Sequence, residues 1–487
     1  MNKTIHRTQK EVQSNDTISA IPLISEGTNK TMVDPEQYRK SAKRSYRIRF
    51  ACCLIGWTIS SSCLNASDQI PGAKQKGPIL LQGGIVHTVS GETFSPGSVL
   101  LVDGKIKEVG TSVDQPERAT VIDVTGKHVY PGLIESNSQL GLVEIDSVRA
   151  TIDTTETGRI NSNVKTQVAF NPDSESIPVA RANGVLLSLA VPSGTFINGR
   201  STFMQLDGWT WEDMAVRPNV AMHIAWPRFG AARGGRRGGG GGGRGAPAGG
   251  SDAQQRLDEL KQWIETARIY GEGRDRDPND TPVDARLEGL LPVARGELPI
   301  FVDADDVQQI QSAVAFCKQN RLKLMIYGGM AAADCAALLK SEKVPVILAG
   351  VYRLPRNLKP YDEAYTLPAR LQEAGVIYCI SGAGRFGAST VRNLPYHAAT
   401  AVAFGLSREQ ALRSITLSPA EILGVADRVG SLQAGKDATL FVADGDILDM
   451  QTHVTHAFVQ GRTVDLNSHH TELYKKYKTK YDRMTQE

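Results

Sequence analysis

The feature that most constrains this chain is a series of short, predominantly apolar runs rich in β-branched residues. They fall at 133–134, 185–191, 220–225, 299–302, 322–327, 344–348 and 376–380. A strand with one wet face alternates apolar and polar residues, whereas a continuous apolar run suits a strand covered on both faces. Helical patterns lie between several of these runs. In 305–319, Val307, Ile310, Val314 and Cys317 recur at spacings of three and four, and 331–339 and 367–374 behave similarly. Further helical patterns at 394–404, 408–415 and 419–423 follow the last run. Strand–helix repetition of this kind predicts a parallel α/β sheet or barrel.

Both flanks of this region read as β. Apolar runs at 79–81 and 85–86 are broken by Gly83-Gly84, and runs at 99–102 and 105–109 flank Asp103-Gly104. Asp-Gly between two strands signals a hairpin whose turn needs positive φ. The C-terminal part repeats the texture, with 439–443 before Asp444-Gly445 and 456–459 and 463–464 around Gln460-Gly461-Arg462. Segments 78–131 and 425–465 are therefore expected to build one small composite sheet domain from two distant parts of the chain. Residues 132–424 make the central unit, and 466–487 are expected to be a polar tail.

The N-terminal 1–43 are polar and aperiodic. Lys43, Arg44, Arg47 and Arg49 then precede a charge-free apolar stretch, 50–64, closed by Asn65-Ala66-Ser67. Basic, then apolar, then small residues is the layout of a secretory signal, and the apolar stretch is shorter than the about 20 residues of a membrane span. Residues 1–66 are thus expected to be a leader, with translation starting at Met32. The protein is expected in the periplasm or cell envelope, with secretion and lipid anchoring at Cys63 both left open. Cys317, Cys335 and Cys379 contain no metal-type pair and read as buried thiols.

The 487 residues include 41% hydrophobic and 22% charged residues, ample for a buried core. Lys+Arg 55 against Asp+Glu 52 gives +3, which argues against a dedicated nucleic-acid binder. Twelve of the 47 glycines lie in 228–250 with five arginines, and this run reads as a flexible loop. It contains no phosphate-loop pattern. A small-molecule ligand and a homo-oligomer are compatible with the composition; nucleic acid, and a membrane contact beyond the leader or a lipid anchor, are not expected.

Three stretches carry a family pattern. Gly126 through Ile134 (GKHVYPGLI) resembles the entry to the first barrel strand of the amidohydrolase superfamily. Leu417 through Gly424 (LSPAEILG) resembles its last barrel helix, and Val429 through Leu440 (VGSLQAGKDATL) its return into the sheet domain. They occur in the family's order, and the texture is similar to imidazolonepropionase-like members. The resemblance implies a TIM-type (β/α) barrel with a composite β-sandwich. It also implies a hydrolase of carbon–nitrogen, non-peptide bonds. Such a site uses one or two metal ions held by a His-x-His pair, a carboxylated Lys, two further His and an Asp at the C-terminal barrel face.

This sequence departs from that ligand set. Where the family has Asp-x-His-x-His, it reads Glu135-Ser136-Asn137-Ser138-Gln139. Asp303 stands at the next His position, Tyr327-Gly328-Gly329 at the one after, and Ser381-Gly382-Ala383-Gly384 where the last Asp belongs. Neutral amides are poor ligands for zinc, and glycine has no side chain to offer. No metal site is expected, and no cofactor. If the chain keeps one, it is a divalent ion among Glu135, Asn137, Gln139 and Asp303, or one reached by Glu144 and Asp146.

Of the His residues, only His223 and His397 fall in the central unit; His223 is a candidate base or ligand, and His397 reads as structural. Asp305 and Asp306 sit where a helix begins and read as caps. Asp303 ends a strand, where barrel proteins keep functional residues. Glu135, Asp303 and His223 are the catalytic candidates, and Asn137, Gln139, Tyr327, Gly328 and Ser381 the pocket candidates. The polar stretch 141–182 is either a lid or an ordered crossover. Two readings follow: a pseudoenzyme or binding module that keeps the pocket, and an active hydrolase of cyclic amides or dipeptides with a rebuilt site.

Overall fold

The computed structural model describes residues 69–229, 250–355, 359–382 and 387–486. The leader 1–66 and all but the edges of the Gly/Arg-rich run lie outside them. Strands β1 (Ile79–His87), β2 (Thr93–Val102), β3 (Lys105–Gly110), β4 (Thr120–Asp123) and β5 (His128–Pro131) come first. The middle of the chain carries β6 (Leu133–Ser138), β7 (Val185–Ala190), β8 (Ile197–Arg200), β9 (Thr202–Gln205) and β10 (Ala215–Arg217). It continues with β11 (Met222–Ile224), β12 (Ile300–Ala304), β13 (Leu324–Gly328), β14 (Val346–Leu348) and β15 (Tyr378–Ile380). Strands β16 (Leu440–Ala443), β17 (Val454–Val459) and β18 (Arg462–Thr463) close the series.

The outer strands form one eight-stranded sheet in the order β18-β17-β16-β5-β1-β2-β3, with β4 pairing β1. Both parts of the chain contribute, as the β texture predicts. The Asp103-Gly104 turn joins β2 to β3 with φ of 50° and 77°, the left-handed pair that such a hairpin requires. The two runs around Gly83-Gly84 are one strand rather than two. A bulge at these glycines bends β1, which pairs with β4 before the bend and with β5 after it.

The middle strands show why their sequences are continuously apolar. Ile300, Val302, Leu324, Ile326, Val346, Leu348, Tyr378 and Ile380 belong to one buried cluster that the helices cover. The alternating residues Phe301, Met325, Ile347 and Cys379 belong to a second, enclosed cluster with Ile134, Leu187, Leu189 and Phe203. Period-two alternation thus puts every second residue in a different core.

β11 through β15 are parallel neighbours in chain order. Between them run helices Gly250–Arg276, Ala285–Ala294, Val307–Asn320, Ala336–Ser341 and Glu363–Ala374. An all-parallel arrangement is not what the first half adopts: β9 runs antiparallel to β7, and β8 antiparallel to β11. The connection 191–201 is shorter than the dozen or so residues a helical crossover needs. β8 and β9 are separated only by Ser201, whose N–H donates to Ala221 O (3.0 Å) and whose carbonyl accepts from Val220 N (2.9 Å). The four-stranded sheet β10-β9-β7-β6 and the six-stranded sheet β15-β14-β13-β12-β11-β8 therefore meet at one residue.

Stretch 141–182 is an ordered crossover. Ile160 and Lys165 bridge to Ile197 and Arg200, and the Ser162 hydroxyl donates to the Arg286 carbonyl at 2.5 Å. Within the polar segment 466–487, His469–Gln486 is helical, started where Thr471 and Ser468 exchange hydrogen bonds. Its polar side chains obscured good helix-forming residues. All three cysteines of the described residues are free and buried, as expected.

Asp207 ties these parts together. Its fully buried carboxylate accepts from Arg181 Nη1 (3.2 Å), Arg462 Nε (3.0 Å) and the Gly72 amide (3.2 Å). Replacing it leaves two largely buried guanidinium groups without their partner. Asp207→Ala is expected to lower the unfolding free energy by about 3–5 kcal/mol. Arg159→Ala, which removes an exposed pair with Glu259, is expected to cost less than about 1 kcal/mol. Urea denaturation midpoints of the two variants measure the contrast.

Candidate functional site

The C-terminal ends of the parallel strands gather the candidate residues. Asp303 follows the alternation of Phe301, Tyr327 that of Met325, and Ser381 that of Cys379, so all three take the enclosed face of their strands. Tyr327 is the electrostatic centre. Burial raises the pKa of its phenol, the nearby Glu135 and Asp303 carboxylates raise it further, and Arg353 and a hydrogen bond with the Asn137 side chain oppose them. Tyr327, Glu135, Asn137 and Asp303 thus form one neighbourhood.

Glu135 is completely buried. Its carboxylate accepts from the Ser381 hydroxyl (2.5 Å), the Gly382 amide (2.7 Å) and the Asn137 amide (3.1 Å). The Ser381 and Gly382 bonds bridge the edge strands β6 and β15, with a Cys379 thiol to Ser136 hydroxyl contact of 3.4 Å beside them. Glu135 and Ser381 are therefore joined to each other, as parts of a structural seam. Asp303 is exposed.

Arg353, which the sequence gave no reason to single out, enters from the segment after β14. It donates to both oxygens of Asp305, at 2.9 and 2.6 Å. This bidentate bond raises the Arg353 pKa, and Tyr327 and Asp303 add to the effect. Asp305 is thus no helix cap, contrary to the sequence reading. Asp306 caps helix Val307–Asn320 through a capping box with Gln309. Gly328 makes the close approach feasible: at φ +97°, an added Cβ would lie 2.8 Å from Asp305 Oδ1 and 3.2 Å from Asp303 Oδ1.

Other candidates are placed elsewhere. The Gln139 amide donates to the Ser193 hydroxyl (2.9 Å), and Glu144 accepts from Asn171 (3.1 Å) inside the crossover. Asp146 is exposed on that crossover. His223 is buried against the Phe301 ring, 4.3 Å between centroids, and its Nε2 has no hydrogen-bond partner among the described residues. Burial lowers its pKa to about 3. His397 is structural, as expected: its Nδ1 accepts from the Val351 amide at 3.1 Å, fixing the segment that carries Arg353, and burial lowers its pKa to about 4.

The donor set does not suit the family's divalent metal. Glu135 is enclosed by three donors, Asp305 is held by a guanidinium, and Gln139 is turned to Ser193. Among the described residues, no group of three or more His, Cys, Asp or Glu could hold a metal ion.

Two outcomes follow from this geometry. Glu135→Ala strands three donors and is expected to cost on the order of 3 kcal/mol or more, whereas Asp303→Ala is expected to cost less than about 1 kcal/mol; chemical denaturation distinguishes them. The lowered pKa of His223 also sets a pH dependence. Between its ordinary 6.5 and about 3, the unfolded chain binds a proton that the folded chain does not. Stability therefore falls as pH falls through that window, by about 1.4 kcal/mol per pH unit for this group. His223→Met should flatten the acid limb of a stability–pH curve; an unchanged slope would contradict the assignment.

The amidohydrolase family profile matches residues 356–467. An amidohydrolase of Hapsidospora irregularis is 20% identical over 401 residues, covering 75% of this chain and 39% of the relative. An imidazolonepropionase of Mesorhizobium japonicum is 28% identical over 150 residues, covering 30% of this chain and 35% of the relative. The chain therefore spans about two fifths or less of these relatives' lengths. The solved structure of an amidohydrolase from Thermotoga maritima superposes with a TM-score of 0.70 at 24% identity, covering 80% of this chain and 99% of that one. The family match and the relatives agree with the three sequence stretches and support membership of the amidohydrolase superfamily, and the superposed structure shows the fold.

Proposed function

We propose that this chain is an exported small-molecule-binding protein that keeps the amidohydrolase frame without the family's metal-dependent hydrolysis. In this reading the two middle sheets, continuous through Ser201 and bridged at the β6–β15 edges, are one TIM-type barrel. The outer sheet, folded over at the Gly83-Gly84 bend, is its composite β-sandwich. Export rests on the basic–apolar–small layout of residues 43–67. The relatives' names, amidohydrolase, imidazolonepropionase and dihydropyrimidinase, support carbon–nitrogen bond hydrolysis as the chemistry of the frame.

One observation carries the proposal. At the strand ends where the family holds its metal, Arg353 clamps Asp305 beside Asp303 and Tyr327. The Arg353 guanidinium already pairs with Asp305 there, and a dication placed beside it would meet its repulsion. Asp303, Tyr327 and Asn137 line the polar surface beside this clamp, where we place the ligand. A rebuilt hydrolase around Glu135, Asn137, Gln139 and Asp303 would need Glu135 released from three donors and Gln139 turned from Ser193.

The test is elemental analysis of the purified protein followed by a screen against cyclic amides and dipeptides. Neither stoichiometric metal nor turnover is expected. Stoichiometric metal together with hydrolysis abolished by Asp303→Ala would overturn the proposal and establish the rebuilt hydrolase.

A further inference from the structure

Helix His469–Gln486 carries an aromatic stripe that no other described residue covers. Tyr474, Tyr477, Tyr481 and Met484 are 66%, 49%, 60% and 61% exposed. Their spacings of three, four and three residues place them within an arc of about 80° at 100° per residue. From Tyr474 through Thr485 every residue is exposed. A helix of this length with so little tertiary packing is marginal in water, so a surface for its apolar stripe would stabilise it.

The charges identify that surface. Lys475, Lys476, Lys478, Lys480 and Arg483 face only Glu472 and Asp482 in the helix. Lys478 and Lys480 border the stripe on its two sides, and the Lys476 and Lys480 ammonium groups each lie 5.8 Å from the ring of the following tyrosine. Pairing two copies along the stripe would bring these lysines together, which disfavours a helix-mediated dimer. In a closed groove on an acidic protein each tyrosine hydroxyl would be buried and would need its own hydrogen-bond partner. Tyrosine presents an apolar ring with a wet end, the residue that settles at the headgroup level of a bilayer. A basic amphipathic helix with such a stripe lies in the plane of an anionic interface. No helix among the described residues is long and apolar enough to cross a membrane, so this contact is peripheral.

We propose that His469–Gln486 is a surface anchor that seats Tyr474, Tyr477, Tyr481 and Met484 in the interface of membranes rich in anionic phospholipid.

Sedimentation of the full chain with vesicles tests it, comparing mixed phosphatidylglycerol–phosphatidylcholine with phosphatidylcholine alone. Because residues 50–64 are also apolar, the comparison is made between variants of the same chain. Binding to the anionic vesicles is expected to weaken about tenfold or more when Lys476, Lys478 and Lys480 are changed together to Glu. Tyr477→Ser with Tyr481→Ser is expected to weaken it as well, with circular dichroism confirming that the body remains folded. Vesicle affinity unchanged by both variants would overturn the proposal. So would equal binding to the two vesicle types, or a dimer in light scattering that the tyrosine variant dissolves. Retention on RNA with no vesicle binding would assign the helix to nucleic acid instead.

Discussion

The middle of the molecule depends on one buried carboxylate. Within each middle sheet the strands from β6 to β15 are joined by backbone ladders, and the two sheets meet at Ser201. At the edges, Glu135 on β6 receives the Ser381 hydroxyl and the Gly382 amide from the end of β15. The residue types there follow from that bond. Gly382 lets the backbone approach, since an added Cβ would sit 3.0 Å from Leu394 Cα and 3.3 Å from Glu135 Oε2. Ser381 supplies the hydroxyl that an Asp at this position could not donate when ionised. The substitutions that remove the family's ligands at both edge strands are thus mutually consistent as a structural seam.

The same logic extends to the strand ends. A metal centre concentrates carboxylates and imidazoles around a cation. Here Arg353 occupies that electrostatic role for Asp305, and Gly328 lets Asp303 and Asp305 approach the backbone. His397 holds the Val351 amide two residues from Arg353, so a buried neutral imidazole helps fix the guanidinium. The histidine acts through the loop it positions.

Much of the frame was legible in the sequence because periodicity records burial. The apolar runs are strands, Asp103-Gly104 is a hairpin with the required positive φ, and both parts of the chain share a sheet. The antiparallel β8 and β9 were missed because Ser201, Asn198 and Gly199 interrupt any apolar run. The site was legible where it lies on strands: the parity that buries Phe301 and Met325 also places Asp303 and Tyr327 together. It was not legible at Arg353, which follows β14 in an irregular segment, nor at Asp305, whose position before a helix mimics a cap. Asp306, one residue on, performs the capping. Partner choice between two adjacent carboxylates depends on a residue about fifty positions away, which local pattern does not encode.

A common use of acidic groups runs through the described residues. Asp207 serves Arg181 and Arg462, Asp437 serves Lys105 and Arg428, Asp305 serves Arg353, and Glu135 serves three donors. Each links segments distant in sequence, and three of the four carboxylates are buried. A buried charge keeps its place only while its donors keep theirs. Carboxylates committed in this way cannot also coordinate a catalytic ion without undoing the fold they connect. Asp303 differs in position: it is exposed near the C-terminal end of its strand, beside the Tyr327 phenol and the Arg353 guanidinium.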